Sequence, residues 1–252
     1  MRSFRRTTRP DRSPATGTVA TALVATGLAL TIGAATASAR PVGPFDVGGA
    51  IEVEFDRAGG AGVLGEPTAP EADAAAGGKF QTFANNAAIY WTGETGAHAL
   101  AGPIRNKWGA LGYETGALRY PVTSVAATPA GNGEFVQFQG GSIYYSVGTD
   151  AHQIGGFIRD KWGQLGWENG PLGFPLSDEA AGAKGSRYNM FPGGVVYWSA
   201  ATGAHAVWGS IRDNWVRAGG DSGRYGLPTS DEYDYEDGKA QDFQGGRITW
   251  QP

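Results

Sequence analysis

The chain has 252 residues, with 20 Lys and Arg against 24 Asp and Glu, 42 Gly and no Cys. An acidic balance argues against nucleic acid or an anionic membrane surface as the principal partner. Without cysteine there is no disulfide framework, so core packing must hold the fold. Gly at more than twice its usual share, beside 8 Trp, 10 Tyr and 11 Phe, points to many tight turns rather than to disorder.

Residues 1–39 read as a secretory signal peptide. Arg2, Arg5, Arg6, Arg9 and Arg12 form a basic head, 18–35 is an uncharged apolar run, and Ala37-Ser38-Ala39 supplies small residues at a cleavage position. The run is rich in Ala, Thr and Gly and short for a membrane span. Arg5-Arg6 leaves the general and twin-arginine export routes both open. Beyond the leader, 15 basic and 23 acidic side chains give 40–252 a net charge of −8. That stretch contains no second apolar run of spanning length.

Residues 40–252 read as one domain of four tandem copies. Pro67, Pro121, Pro175 and Pro228 recur at intervals of 54, 54 and 53 residues, and Ile51, Ile104, Ile158 and Ile211 keep the same rhythm. Units run over approximately 49–100, 101–154, 155–208 and 209–252. Each opens on a short helix. In "PIRNKWGALG", 103–112, Ile104, Trp108 and Leu111 form one stripe, Pro103 suits the first turn and Gly112 the stop. Phe55, Trp162 and Trp215 take the place of Trp108 in the other copies.

Two short strands follow, joined by Gly-Gly in "FQGGSIYY", "FPGGVVYW" and "FQGGRITW" and by Asn85-Asn86 in "FANNAAIYW". That exchange predicts a type I′ turn with positive φ at both central residues. Alternation places Ile89 and Trp91 on one strand face, expected in the core with Trp198 and Trp250, and Tyr90 on the other. A third strand, such as "GAHAL" at 96–100, completes a meander too small to bury its own face. The fourth copy lacks this strand, while "PFDV" at 44–47 precedes Ile51 as a third strand should. The expected fold is therefore an α+β repeat closed into a propeller-like, pseudo-fourfold ring, with 44–47 pairing beside 243–250.

Leu172-Gly173-Phe174-Pro175 with "LSDE" and "GGVVYWSAATGAHAVWGSIRDNW" resembles the LGFP-repeat family, over about residues 44–252. The other copies read "LGEP", "LRYP" and "YGLP"; Arg119 in place of Gly argues against a compulsory positive φ there. The resemblance implies a secreted or cell-wall-associated protein of mycolic-acid-containing actinobacteria. It implies attachment to the arabinogalactan–peptidoglycan layer and pseudo-symmetric packing, and it transfers no catalytic residues.

His98, His152 and His205 recur at equivalent positions, which suits a structural role better than the asymmetric cluster that catalysis needs; no metal site is expected, since no carboxylate travels with them and Phe45 takes the fourth position. Asp178-Glu179 and Asp231-Glu232 are expected to cap turns or to pair with Arg105, Arg159 and Arg212. Those arginines are expected to form an intramolecular salt bridge; the alternative is that they, like the histidines, are candidates for polar ligand contacts. Trp108, Trp162 and Trp215 belong to the core. The candidate glycan-binding aromatics are Tyr113 and Trp167, just past helix ends, and Tyr90, Tyr144 and Tyr197 on the strand face opposite the core. "GGDSG" at 219–223 lacks the setting of a phosphate loop. The expected function is a non-catalytic, exported module bound to cell-wall polysaccharide, without cofactor. The alternatives are a scaffold for an envelope protein and, further off, a glycan hydrolase.

Overall fold

A computed structural model describes residues 39–252; residues 1–38 of the expected leader therefore lie outside the described residues. The chain opens on a hairpin of β1 (Arg40–Val42) and β2 (Phe45–Val47), followed by α1 (Gly49–Arg57) and the short α2 (Gly60–Leu64). The first sheet contains β3 (Ala72–Asp73), β4 (Lys79–Phe83), β5 (Ala87–Thr92) and β6 (Gly96–Ala101). Helix α3 (Gly102–Ala110) leads to β7 (Ala126–Ala127), β8 (Glu134–Phe138), β9 (Gly141–Ser146) and β10 (Asp150–Ile154). Helix α4 (Gly156–Gln164) leads to β11 (Ala180–Ala181), β12 (Arg187–Phe191), β13 (Gly194–Ser199) and β14 (Gly203–Trp208). Helix α5 (Gly209–Arg217) precedes the last sheet, β15 (Tyr233–Tyr235), β16 (Gly238–Phe243) and β17 (Gly246–Trp250). All pairings are antiparallel between neighbours in sequence, and the three complete sheets hold four strands, the first only two residues long.

The helix stripes pack as their spacing predicts. Ile104 and Trp108, Ile158 and Trp162, and Ile211 and Trp215 are all buried. Each helix touches two sheets. Around Trp108 lie Ala88, Tyr90 and Leu100 of the first sheet and Val136, Phe138 and Ile143 of the second; around Trp162 lie Tyr144 and Ile154 of the second and Phe191, Val196 and Ala206 of the third. A sheet between two helices is covered on both faces, so Ile89 and its neighbour Tyr90 are buried together, at 0% and 5% exposure. The expectation of an open strand face at Tyr90 and Tyr144 therefore fails. Tyr197 is half-buried, and at the other end of the repeat Trp250 is exposed rather than in the core.

The expected ring does not form; the sheets are open. Strand β2 pairs with β1, Arg40 opposite Val47, and among the described residues β17 has no ladder partner besides β16. Strand β2 does occupy a third-strand position. Its Asp46 carbonyl accepts from Gln81 Nε2 at 3.0 Å, as the Gln153 carbonyl accepts from Asn189 Nδ2 and the Ala206 carbonyl from Gln241 Nε2. Its pairing edge is taken by residues 40–42, which the sequence offered no reason to treat as a strand.

Two turn expectations are also corrected. The hairpin loops are Gln139-Gly140, Pro192-Gly193 and Gln244-Gly245, and none of these residues has positive φ. Glycine is required there by proximity: a Cβ on Gly193 would lie 1.9 Å from the Pro171 carbonyl oxygen, and one on Gly140 2.1 Å from that of Ala117. The first copy has one residue more, Phe83 pairing with Ala87 across Ala84-Asn85-Asn86, and only Asn86 is left-handed (φ 52°). Conversely, positive φ in the Leu-Gly-Phe-Pro motif is general: Gly65, Gly173 and Gly226 lie at 82°, 75° and 65°, and Arg119 joins them at 56°.

Candidate functional site

Helices α1, α3, α4 and α5 each end on a left-handed glycine, Gly59, Gly112, Gly166 or Gly219, with φ between 94° and 100°. The next residue is left-handed as well: Gly60 (59°), Tyr113 (52°), Trp167 (56°) and Gly220 (60°). Two copies thus use glycine where two others hold a large aromatic residue in a conformation that disfavours any Cβ by about 1–2 kcal/mol. Strain of this kind persists only where the surroundings hold it in place.

They do so closely. The Tyr113 ring lies over Gly109 of α3 and the Trp167 ring over Gly163 of α4, where an added Cβ would come within 2.7 and 2.6 Å of ring atoms. In α1 and α5, whose following residue is Gly, the same helix position carries Asp56 and Val216. The small helix residue and the aromatic ring therefore occur together. Tyr113 stands edge-on to Trp108 (5.3 Å, 87°) and Trp167 edge-on to Trp162 (5.2 Å, 85°). Tyr90 and Tyr144 lie nearly parallel to the same rings at 6.5 Å. Both rings stay accessible, at 39% and 36% exposure. The result is a pair of fixed, half-exposed aromatic ledges at equivalent places in consecutive units. Tyr90 and Tyr144 form their footing; burial raises the pKa of both phenols, and at Tyr144 Arg159 pulls it back.

Polar groups flank the ledges. Arg159 lies over Trp167 at 5.3 Å, a cation–π contact, and Arg105 donates to Asn86 Oδ1 at 2.9 Å. Neither they nor Arg212 pairs with a carboxylate among the described residues, so the expected salt bridge is absent. Glu114, beside Tyr113, accepts from the Ala75 amide at 3.3 Å. Beside it a cleft of about 470 Å³ is lined by Glu94, Glu114, Arg119, Tyr120 and Gln139.

The repeated carboxylates and histidines are structural joints. Asp178 accepts from Lys107 Nζ (2.9 Å) and the Gln153 amide (2.8 Å), and Asp231 from Lys161 Nζ (2.8 Å) and the Ala206 amide (3.3 Å). Lysines of the helix, not the arginines, are their partners. Burial pushes the Asp231 carboxyl up, but hydrogen bonds from His205, Lys161 and the Ala206 amide outweigh it and bring it down to about 2. His98, His152 and His205 each place Nε2 on the carbonyl of their own turn, Thr95, Thr149 or Thr202, at 2.7–2.9 Å. Each lies in its own sheet and serves its own turn.

Sequence reasoning missed a further feature: Trp91 and Trp198, half-buried, line clefts with Glu71 and Lys79 and with Glu179 and Arg187. The signal was present in the cross-strand pairs Lys79–Trp91 and Arg187–Trp198. No curated protein sequence matches the chain. The LGFP repeat model matches four times, over residues 64–116, 118–170, 172–223 and 226–252, and so covers more than half of it. The chain belongs to the LGFP repeat family.

Proposed function

We propose that the protein is an exported, non-catalytic module that binds cell-wall polysaccharide of the arabinogalactan–peptidoglycan type through the Tyr113 and Trp167 ledges. The observation that carries this reading is the left-handed conformation of both residues, at positions where the first and last copies use glycine. A merely structural turn is served by Gly60 and Gly220; an aromatic ring held there against strain, flat and half-exposed, suits the apolar C–H face of a sugar. Two weak contacts on one rigid chain add through effective concentration, which multiplies avidity on a polymer by about 10²–10⁴.

Supporting features are the family membership, the acidic net charge and the leader-like 1–39. No helix among the described residues is long and apolar enough to cross a membrane. Asp178 and Asp231 recur as joints between strand, helix and loop, which favours a structural role for them over glycan hydrolysis. Co-sedimentation with purified insoluble arabinogalactan–peptidoglycan tests the reading. Retention well above that of serum albumin supports it; retention equal to albumin refutes it, and recovery of one protein partner by cross-linking in cells then favours the scaffold alternative.

A further inference from the structure

The clefts beside the second-strand tryptophans are built from equivalent positions in two units and, apart from Lys79 against Arg187, differ at one of them. In the first unit Ala50, Ile51, Glu71, Lys79 and Trp91 line a cleft of about 210 Å³. In the third, the equivalent Phe157, Ile158, Glu179, Arg187 and Trp198 line one of about 380 Å³. A cation faces the tryptophan across the ladder in both, Lys79 opposite Trp91 and Arg187 opposite Trp198. A carboxylate completes each set, Glu71 at 3.8 Å from Lys79 and Glu179 at 2.8 Å from Arg187.

The differing residue sits in the first turn of the helix. Phe157, 62% exposed, lays its ring on Trp198 with centroids 5.5 Å apart and planes 13° apart. Ala50, also exposed, carries only a methyl group, so Trp91 has no such cover in its own cleft. A flat apolar group supplied by the chain is thus already docked on one of two equivalent tryptophan faces. Its position marks the other face as a stacking surface with one acceptor and one donor at its edge.

We propose that the cleft of Ala50, Glu71, Lys79 and Trp91 binds one ring of a neutral saccharide, stacked on Trp91 as Phe157 is stacked on Trp198. Glu71 accepts from the sugar hydroxyls and Lys79 donates to them; Phe157 closes the corresponding site in the third unit. Lys79 also holds Asp73, outside the cleft lining, at 2.5 Å, so its charge is already shared between two carboxylates and offers little to an anionic sugar. The ion pair to Glu71 is long and both side chains are 41% exposed, leaving hydrogen-bonding capacity on each. The proposal rests on the saccharide reading above but uses residues separate from the ledges.

The test is titration of the full chain, with indole-¹⁵N tryptophan, by soluble oligosaccharides released from arabinogalactan. The Trp91 resonance is assigned by its loss in Trp91→Phe. A saturable Trp91 shift is expected, abolished in Ala50→Phe, whose new ring copies one the fold already tolerates at Phe157. Phe157→Ala is expected to bring Trp198 into the titration. A Trp91 resonance that stays still while Trp167 moves overturns the cleft and leaves the ledges standing, as does an Ala50→Phe variant that titrates like the parent. A Trp91 shift without retention on the insoluble polymer upholds the cleft and removes the envelope reading. Stillness at Trp91 and Trp167 together with no retention removes both.

Discussion

The indole Nε1 of Trp162 donates a hydrogen bond to the backbone carbonyl of Gly173 at 3.0 Å. Trp108 does the same to Arg119 (3.1 Å) and Trp215 to Gly226 (2.9 Å), always to the left-handed residue of the motif. The positive φ accompanies a turn whose carbonyl meets the helix, and the tryptophan ring fills the space between consecutive sheets. Helix stripe and motif are two halves of one joint. In the first unit Phe55 replaces the tryptophan and stacks on Phe83 at 5.1 Å without a donor.

Trp162→Phe therefore keeps most of the packing and orphans one carbonyl. A loss of about 1–3 kcal/mol is expected, against about 3–5 kcal/mol for Trp162→Ala. Urea unfolding of both variants checks the difference; a Trp162→Phe variant as stable as the parent would mean that the hydrogen bond contributes nothing.

Arg119 holds a left-handed conformation that its three counterparts give to glycine. Arg119→Gly should raise stability by about 1 kcal/mol, and Gly173→Ala should lower it by about 1–2 kcal/mol. Thermal unfolding midpoints shifting in opposite directions are the expected outcome.

Gly163→Ala puts a methyl group 2.6 Å from the Trp167 ring. The ring must swing away, while the buried face of α4 is untouched. The expected result is a red-shifted Trp167 emission and weaker retention on cell-wall polymer, with the unfolding midpoint within a few degrees of the parent. Unchanged emission would mean that the ring is not seated on Gly163.

Asp231 titrates near 2 in the folded chain against 3.8 for a free aspartate. Its carboxylate contribution is fully present above pH 3.8 and is lost as pH falls towards 2. Asp178 is lowered too: burial raises it, but the Gln153 amide, Lys107 and His152 prevail. The thermal midpoint should drop between pH 4 and 2. Asp231→Asn should flatten that slope and lower the midpoint at pH 7, where Lys161 loses its partner. A parallel acid profile for the variant would contradict this.

The recurrence of Ile, Trp and Pro was enough to place the stripes of α3, α4 and α5 and to count four repeats, because those residues are set by packing and repeat with it. Local turn geometry was less legible. The extra residue in Ala84-Asn85-Asn86 hides behind a Gly-Gly to Asn-Asn likeness, and Gly140 and Gly193 are demanded by a carbonyl more than twenty residues away in the chain. The burial of Tyr90 depends on a helix covering the second sheet face, which strand alternation does not report. Tyr113 and Trp167 were visible as aromatics just past helix ends. Their true signal was the pairing with Gly109 and Gly163, four residues earlier, where the other copies carry Asp56 and Val216.

Polymer binding by the two ledges is the central claim, and replacing both rings with the glycine that the other copies use addresses it most directly. Tyr113→Gly/Trp167→Gly relieves backbone strain, so the variant should fold with a midpoint close to that of the parent. Co-sedimentation with insoluble arabinogalactan–peptidoglycan should then fall by about 10²-fold in apparent affinity, the loss of a two-point contact. A folded double variant retained as well as the parent would contradict the account.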